Sequence, residues 1–246
     1  MFKFIDSTRT SINIDALAMI QVKRIMRESS KTKRAANVVH VGAFDGQASL
    51  SLVEMLKPLE THVIALEPCI RNFKLLKKAF GSNDNLTAVR CAAGSKAATR
   101  NIFISRESTL KSSKGSSQSN SFYSEFVDDK NLNNGYAEVI KVLPLQTIFD
   151  DYDLKVVDLL RINCEGGEYN IFEVGASTGF LNQVNVVAIA IHGKSKVFLT
   201  DKMIQHKIYI NSVLKMAGFQ QIYGFKFAIE TTKIPTGHVW QIWSKI

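Results

Sequence analysis

A short apolar run, a glycine turn and a helix follow one another in residues 37–50, N-V-V-H-V-G-A-F-D-G-Q-A-S-L. No other stretch narrows the possible folds as much. Val38 and Val39 open a run of the kind shown by a fully buried strand. Gly42 and Gly46 form G-x-x-x-G, and residues 47–56 read as a helix. Strand, glycine turn and helix together make a βα unit that can receive a phosphate or nucleoside, because backbone without a Cβ turns tightly and lets a ligand approach. The spacing is not G-x-G-x-x-G, so a nucleoside cofactor fits better than a dinucleotide. About twenty residues on, a second apolar run ends at Glu67, where a strand-tip carboxylate can accept hydrogen bonds from ribose hydroxyls.

The rest of the chain repeats the pattern. Residues 11–30 read as a helix with Asn13 as N-cap. This helix either covers the cofactor pocket as a lid or packs on the sheet flank. A basic linker spans 31–36. A second strand (61–67), a helix (70–80) closed by a left-handed Gly81, and a third strand (86–92) follow. Strands are also expected over 99–105, 137–143, 156–163, 184–191, 219–229 and 238–243. A helical turn is expected over 145–150, and helices over 169 to about 174 and 201–217. Strands alternating with helices predict an α/β fold. The expected form is a Rossmann-like doubly wound sheet of seven strands, mainly parallel, with a C-terminal antiparallel hairpin. The expected organisation is a helical extension over 1–36 and one catalytic domain over 37–246. A Ser- and Lys-rich insertion at about 105–135 interrupts that domain and could close over an acceptor.

Composition excludes several classes. No apolar run is long enough for a transmembrane helix, and the first ten residues lack an apolar signal core. Three widely spaced cysteines, Cys69, Cys91 and Cys164, suggest reduced thiols in a cytoplasmic protein rather than a disulfide framework. The formal net charge of +9 fits a solvated basic surface or a polyanionic partner. The basic residues carry no interleaved stacking aromatics, so a nucleic-acid module is not supported.

Two further stretches carry a family likeness. Residues 159–173, L-L-R-I-N-C-E-G-G-E-Y-N-I-F-E, resemble the L-K-I-D-V-E-G-x-E signature of FkbM-type methyltransferases. Residues 38–50 are similar to that family's I-D-V-G-A-N-x-G-x-x-S. A-L-E-P with Asn72 resembles F-E-P-x-P-x-N, and residues 143–148 resemble V-x-x-L-D. The resemblance implies a class I fold, S-adenosyl-L-methionine as cofactor, and O-methylation of a small-molecule or glycan hydroxyl. It places His40, Gly42, Ala43, Asp45, Gly46, Glu67, Pro68, Ala92 and Asn163 at the cofactor, with Gly42, Ala43 and Gly46 along its methionine part, Glu67 on the ribose and Ala92 near the adenine. Asn163, Glu165 and Glu168 would line the transfer crevice. The departures are His40 and Asn163, where the family has Asp, and Ala190-Ile191-His192, where it has E-x-H. They remove negative charge that could balance the sulfonium, with Asp45, Glu67 and Glu165 as replacements. A binding protein without turnover and an RNA or protein methyltransferase are the alternative readings.

Methyl transfer to oxygen is an in-line displacement that needs the acceptor held at about 3 Å from the methyl carbon and its proton removed. His192 is the preferred base, since imidazole titrates near neutrality. Glu165 is the alternative base or a partner of the cofactor amine. Glu165, Glu168 and His192 could also bind a metal, although no metal is expected. Cys164 lacks a partnered base and is not expected to act as a nucleophile.

Overall fold

The computed structural model describes residues 13–28, 34–104, 137–173, 179–193, 201–224 and 237–245. The expected insertion at 105–135, and with it the idea of a closing loop, lies outside the described residues. So do residues 225–229, the outer part of the expected strand 219–229, and the turn that follows them up to 236.

Helix α1 (Ile14–Glu28) starts where Asn13 Oδ1 accepts the Ala16 N–H at 3.1 Å. Strand β1 (Ala36–Val41), helix α2 (Gln47–Leu56) and strand β2 (Thr61–Leu66) follow. Helix α3 (Ile70–Phe80) and strand β3 (Leu86–Val89) complete the first half. Strand β7 (Val157–Ile162), helix α5 (Glu168–Phe172) and strand β8 (Val184–Gly193) begin the second half. Helix α6 (Asp201–Met216) and strands β9 (Phe219–Tyr223) and β10 (Gly237–Lys245) end it. One seven-stranded sheet runs β3-β2-β1-β7-β8-β10-β9. Pairing is parallel from β3 to β8, and β10 inserts antiparallel between β8 and β9. The order reverses between β1 and β7, and that reversal places the crevice of an open α/β sheet.

The expected third strand is in fact two. Beyond β3 the chain turns at Arg90-Cys91, with the Cys91 N–H on Val89 O at 3.1 Å. It then enters strand β4 (Ala92–Gly94) of a separate three-stranded sheet, ordered β4-β6-β5. Strands β5 (Ala98–Phe103) and β6 (Ala137–Pro144) form the expected antiparallel pair and lead into helix α4 (Leu145–Asp151). Gly81 has φ 60° but ψ −132°, so it ends α3 with positive φ and not in the left-handed helical region expected for it.

Each face of the large sheet has its own apolar core. Val39, Val41, Leu160 and Ile162 face α4, α5 and α6, whereas Ala36, Val38 and Leu159 face α1, α2 and α3. Helix α1 buries Ala18, Met19 and Val22 and packs against α2, β7, β8 and β10. Of its two possible roles, it takes that of a flank helix. Among the described residues no helix is long and apolar enough to cross a membrane.

Candidate active site

The turn beyond β1 is fastened to both neighbouring strands. The N–H groups of Gly42 and Ala43 both donate to Leu66 O at 3.0 Å, and the Asn163 N–H donates to Val41 O at 3.0 Å. Gly42 has φ +78°, and a Cβ there would lie 2.0 Å from the Asn163 carbonyl oxygen. A Cβ on Gly46, at φ +86°, would meet Leu76 Cδ1 at 2.9 Å. Gly42 is therefore required by the backbone beyond β7, and Gly46 by its left-handed φ, with the Leu76 side chain of α3 close above it. Asp45 accepts the Gln47 N–H at 3.2 Å, at the start of α2.

Phe44 adopts a left-handed φ of 55° and aims its N–H at Glu67 Oε2, 3.0 Å away. Glu67 Oε1 accepts the Cys69 N–H at 3.0 Å and the Asn72 side-chain amide at 3.3 Å. This carboxyl is only 5% exposed. Burial pushes it up to about 7, against the opposing pull of those N–H donors. Pro68 is half-buried beside it, and Ala92 lies buried in the small sheet's apolar core.

His40 is committed elsewhere. It sits beside Arg161 in the β1–β7 register, on the α1–α2 side of the sheet. Its Nδ1 lies 2.7 Å from Ser49 Oγ and its Nε2 lies 2.6 Å from Arg161 Nη1. An arginine can only donate, so Nε2 accepts and Nδ1–H donates to Ser49. Burial, then the Arg161 charge, lower the imidazole well below its ordinary range and keep it neutral. Arg161 also forks onto Asp15 of α1 at 2.8 and 3.2 Å and stacks over Trp240 at 4.9 Å. Both His40 nitrogens are engaged within the protein, in a network with Ser49 and Arg161.

The tips of β7 and β8 carry the second group of candidates. Glu165 has φ 50° and Gly166 φ 93°, so the chain turns sharply into α5. Glu168 is fully buried. Its Oε1 accepts the His192 backbone N–H at 2.8 Å and faces His192 Nδ1 at 2.6 Å, while its Oε2 accepts the Gly166 N–H at 2.9 Å. A carboxylate is acceptor-only, so the proton sits on His192 Nδ1. Nε2 then faces Glu165 Oε1 at 3.5 Å. Burial alone would lower the imidazole, but Glu168 and then Glu165 outweigh it and hold His192 above its usual range. Burial likewise opposes ionisation of Glu168, yet the His192 charge and hydrogen bonds bring it below the ordinary carboxyl range. The Cys164 thiol, held far above its usual range by burial and Glu168, donates to Glu168 Oε2 at 3.5 Å.

Asn163, Glu165 and His192 thus gather at one end of the sheet, alongside the Gly42–Gly46 turn and Glu67. Sequence reading grouped Glu168 with His192 only as possible metal ligands and did not see that Glu168 orients the His192 ring. It also missed Asp15 and Arg161, although a charge inside the apolar run of β7 is a signal that a buried partner exists.

The model of the methyltransferase FkbM domain matches residues 40–227. No curated protein sequence matches the chain. Methyltransferase FkbM from Methylobacillus flagellatus KT is similar in structure, with a TM-score of 0.50 and 15% identity over 84% of this chain and 43% of that one. This chain therefore spans less than half the length of that relative. The human methyltransferase 10 domain containing protein gives a TM-score of 0.49 and 11% identity, over 96% of this chain and 83% of that one.

Proposed function

This chain belongs to the methyltransferase FkbM domain family, and from that premise we propose that it methylates a hydroxyl oxygen of a small molecule or glycan, with S-adenosyl-L-methionine as donor. The observation that carries the reading is the Glu168–His192 pair at the strand tips, 2.6 Å apart, beside the Glu67 turn. The residues suit the cofactor's parts. Glu67 is a buried acceptor at the tip of β2, where ribose hydroxyls would donate to it. Asp45, Glu67 and Glu165 are the carboxylates on hand to balance a positive sulfonium. When bound, the cofactor supplies an electrophilic methyl group.

The chain's own part is to hold the acceptor and take its proton. Glu168 fixes the His192 ring through Nδ1–H and leaves Nε2 to accept the proton of the acceptor hydroxyl. The resulting imidazolium is stabilised by Glu168 within the same hydrogen bond. His40 contributes through Ser49 and Arg161, by tying the first turn of α2 to β7. Because the base must be neutral and is held above the ordinary imidazole range, turnover should fall as pH drops through a value above 6.5. In His192→Ala, kcat should drop by about a hundredfold or more with the cofactor Kd within about threefold of wild type. Single-turnover kinetics and calorimetry measure the two quantities. Wild-type turnover in His192→Ala would remove the residue from catalysis. Cofactor binding without any methylated product across hydroxylated acceptors would favour a binding protein instead.

A further inference from the structure

Two carboxylates divide the first amides of α3 between them. The Cys69 N–H goes to Glu67 Oε1 at 3.0 Å, and the next N–H, that of Ile70, goes to Glu138 Oε1 and Oε2 at 2.9 and 3.2 Å. Glu138 comes from β6 of the small sheet. It continues inward the stripe of Ile140 and Val142, where an acid needs a partner. Arg90, at the break between β3 and β4, supplies one through its Nη2. The same sheet packs Ile102, Ile104, Ile140 and Val142 against Cys69 and Ala92. Arg90 and Glu138 are thus built into the frame of the turn that carries Glu67, without themselves making any hydrogen bond to Glu67 among those described.

We propose that the Arg90–Glu138 pair is a positioning device for Glu67: it anchors the start of α3 and sets the charge with which Glu67 meets the cofactor ribose. The proposal rests on the reading of Glu67 as the ribose acceptor. An ionised carboxylate is acceptor-only and takes both ribose hydroxyls as donors, whereas a protonated one must spend an oxygen as donor. Burial does most to favour the protonated form of Glu67, and the charge of Glu138, whose carboxylate caps the amide next to the one Glu67 caps, adds to it. The thiols of Cys69 and Cys164 also face Glu67, and burial holds both neutral. Arg90 pairs with Glu138 and so opposes its charge.

The test pairs calorimetry of S-adenosyl-L-methionine binding from pH 5.5 to 8.5 with carboxyl-carbon NMR titration of Glu67 in the cofactor-free protein. Glu138→Gln keeps an oxygen for the Ile70 N–H and loses the charge. It should bind the cofactor about threefold more tightly than wild type at pH 6 and equally at pH 8.5, with the Glu67 midpoint moved to lower pH. Arg90→Leu should bind about threefold more weakly at pH 6, with the midpoint moved to higher pH. A Glu67 midpoint unmoved in both variants, or a change in Kd by one factor at every pH, would overturn the proposal, since a purely structural cap does only that. Midpoints that move while wild-type affinity is independent of pH would instead take Glu67 off the ribose.

Discussion

Gly42 and Gly46 were legible in the sequence as turn glycines, and their positive φ fits that reading while packing adds a second demand. A Cβ on Gly42 would overlap the Asn163 carbonyl, and one on Gly46 would press on Leu76. Gly218 has a similar φ, +84°, with nothing within 4 Å of its would-be Cβ. Gly218→Ala should therefore cost only the left-handed backbone penalty, about 1–2 kcal/mol. Gly42→Ala should cost at least about 3 kcal/mol, because backbone of β7 would also have to move. Urea unfolding of the two variants decides this, and equal costs would mean that the tips of β1 and β7 can part freely. His40 teaches the opposite lesson. Its departure from the family's Asp was visible at once, while its partners lie 9 and 121 positions away and only packing brings them within 2.7 Å.

At the level of elements, hydrophobic period and end signals placed most helices and strands within a residue or two. Helix α3 matches its expected span, because Leu76 and Phe80 lie one turn apart and Gly81 ends it. The misread element is the third strand. Residues 86–92 are uniformly strand-like, and nothing local marks Arg90-Cys91 as a passage from one sheet into another. Helix α1 was ambiguous for a related reason: its apolar stripe requires burial but does not say against what. Asp15 decides the matter by clamping Arg161 inside the fold. Removing one partner of a mostly buried ion pair leaves a charge uncompensated, so Asp15→Ala should cost about 3 kcal/mol. In an Arg161→Met background the same change should cost less than about 1 kcal/mol. A double-mutant cycle by chemical denaturation tests this, and additive costs would show that the clamp does not hold α1.

For the molecule as a whole, the buried acids and imidazoles make stability depend on pH. The folded Glu67 carboxyl, at about 7, lies above its unfolded value of 4.5, so the stability it contributes is complete below 4.5 and is lost as pH rises through 7. His192, also raised on folding, loses its contribution as pH rises beyond 6.5. His40 is lowered on folding, so its effect is a loss of stability as pH falls toward and below 6.5, which offsets part of the change at the lower end of this range. Between pH 6.5 and 8 the unfolding free energy should thus fall by about 1 kcal/mol, and urea titrations showing a rise over that range would contradict the assignment. Residue pattern alone determined the α/β alternation, the glycine turn after the first strand, the acid at the tip of β2 and the family likeness. Those features are written in periods of two and 3.6 residues and in the sterics of glycine, which act between near neighbours in the chain. Tertiary structure alone decided that His40 joins Arg161, that Glu168 orients His192 and that Glu138 reaches the start of α3. Such pairings join groups 24 to 121 positions apart. They exist because burial leaves each polar group dependent on whichever partner the packed elements bring to it.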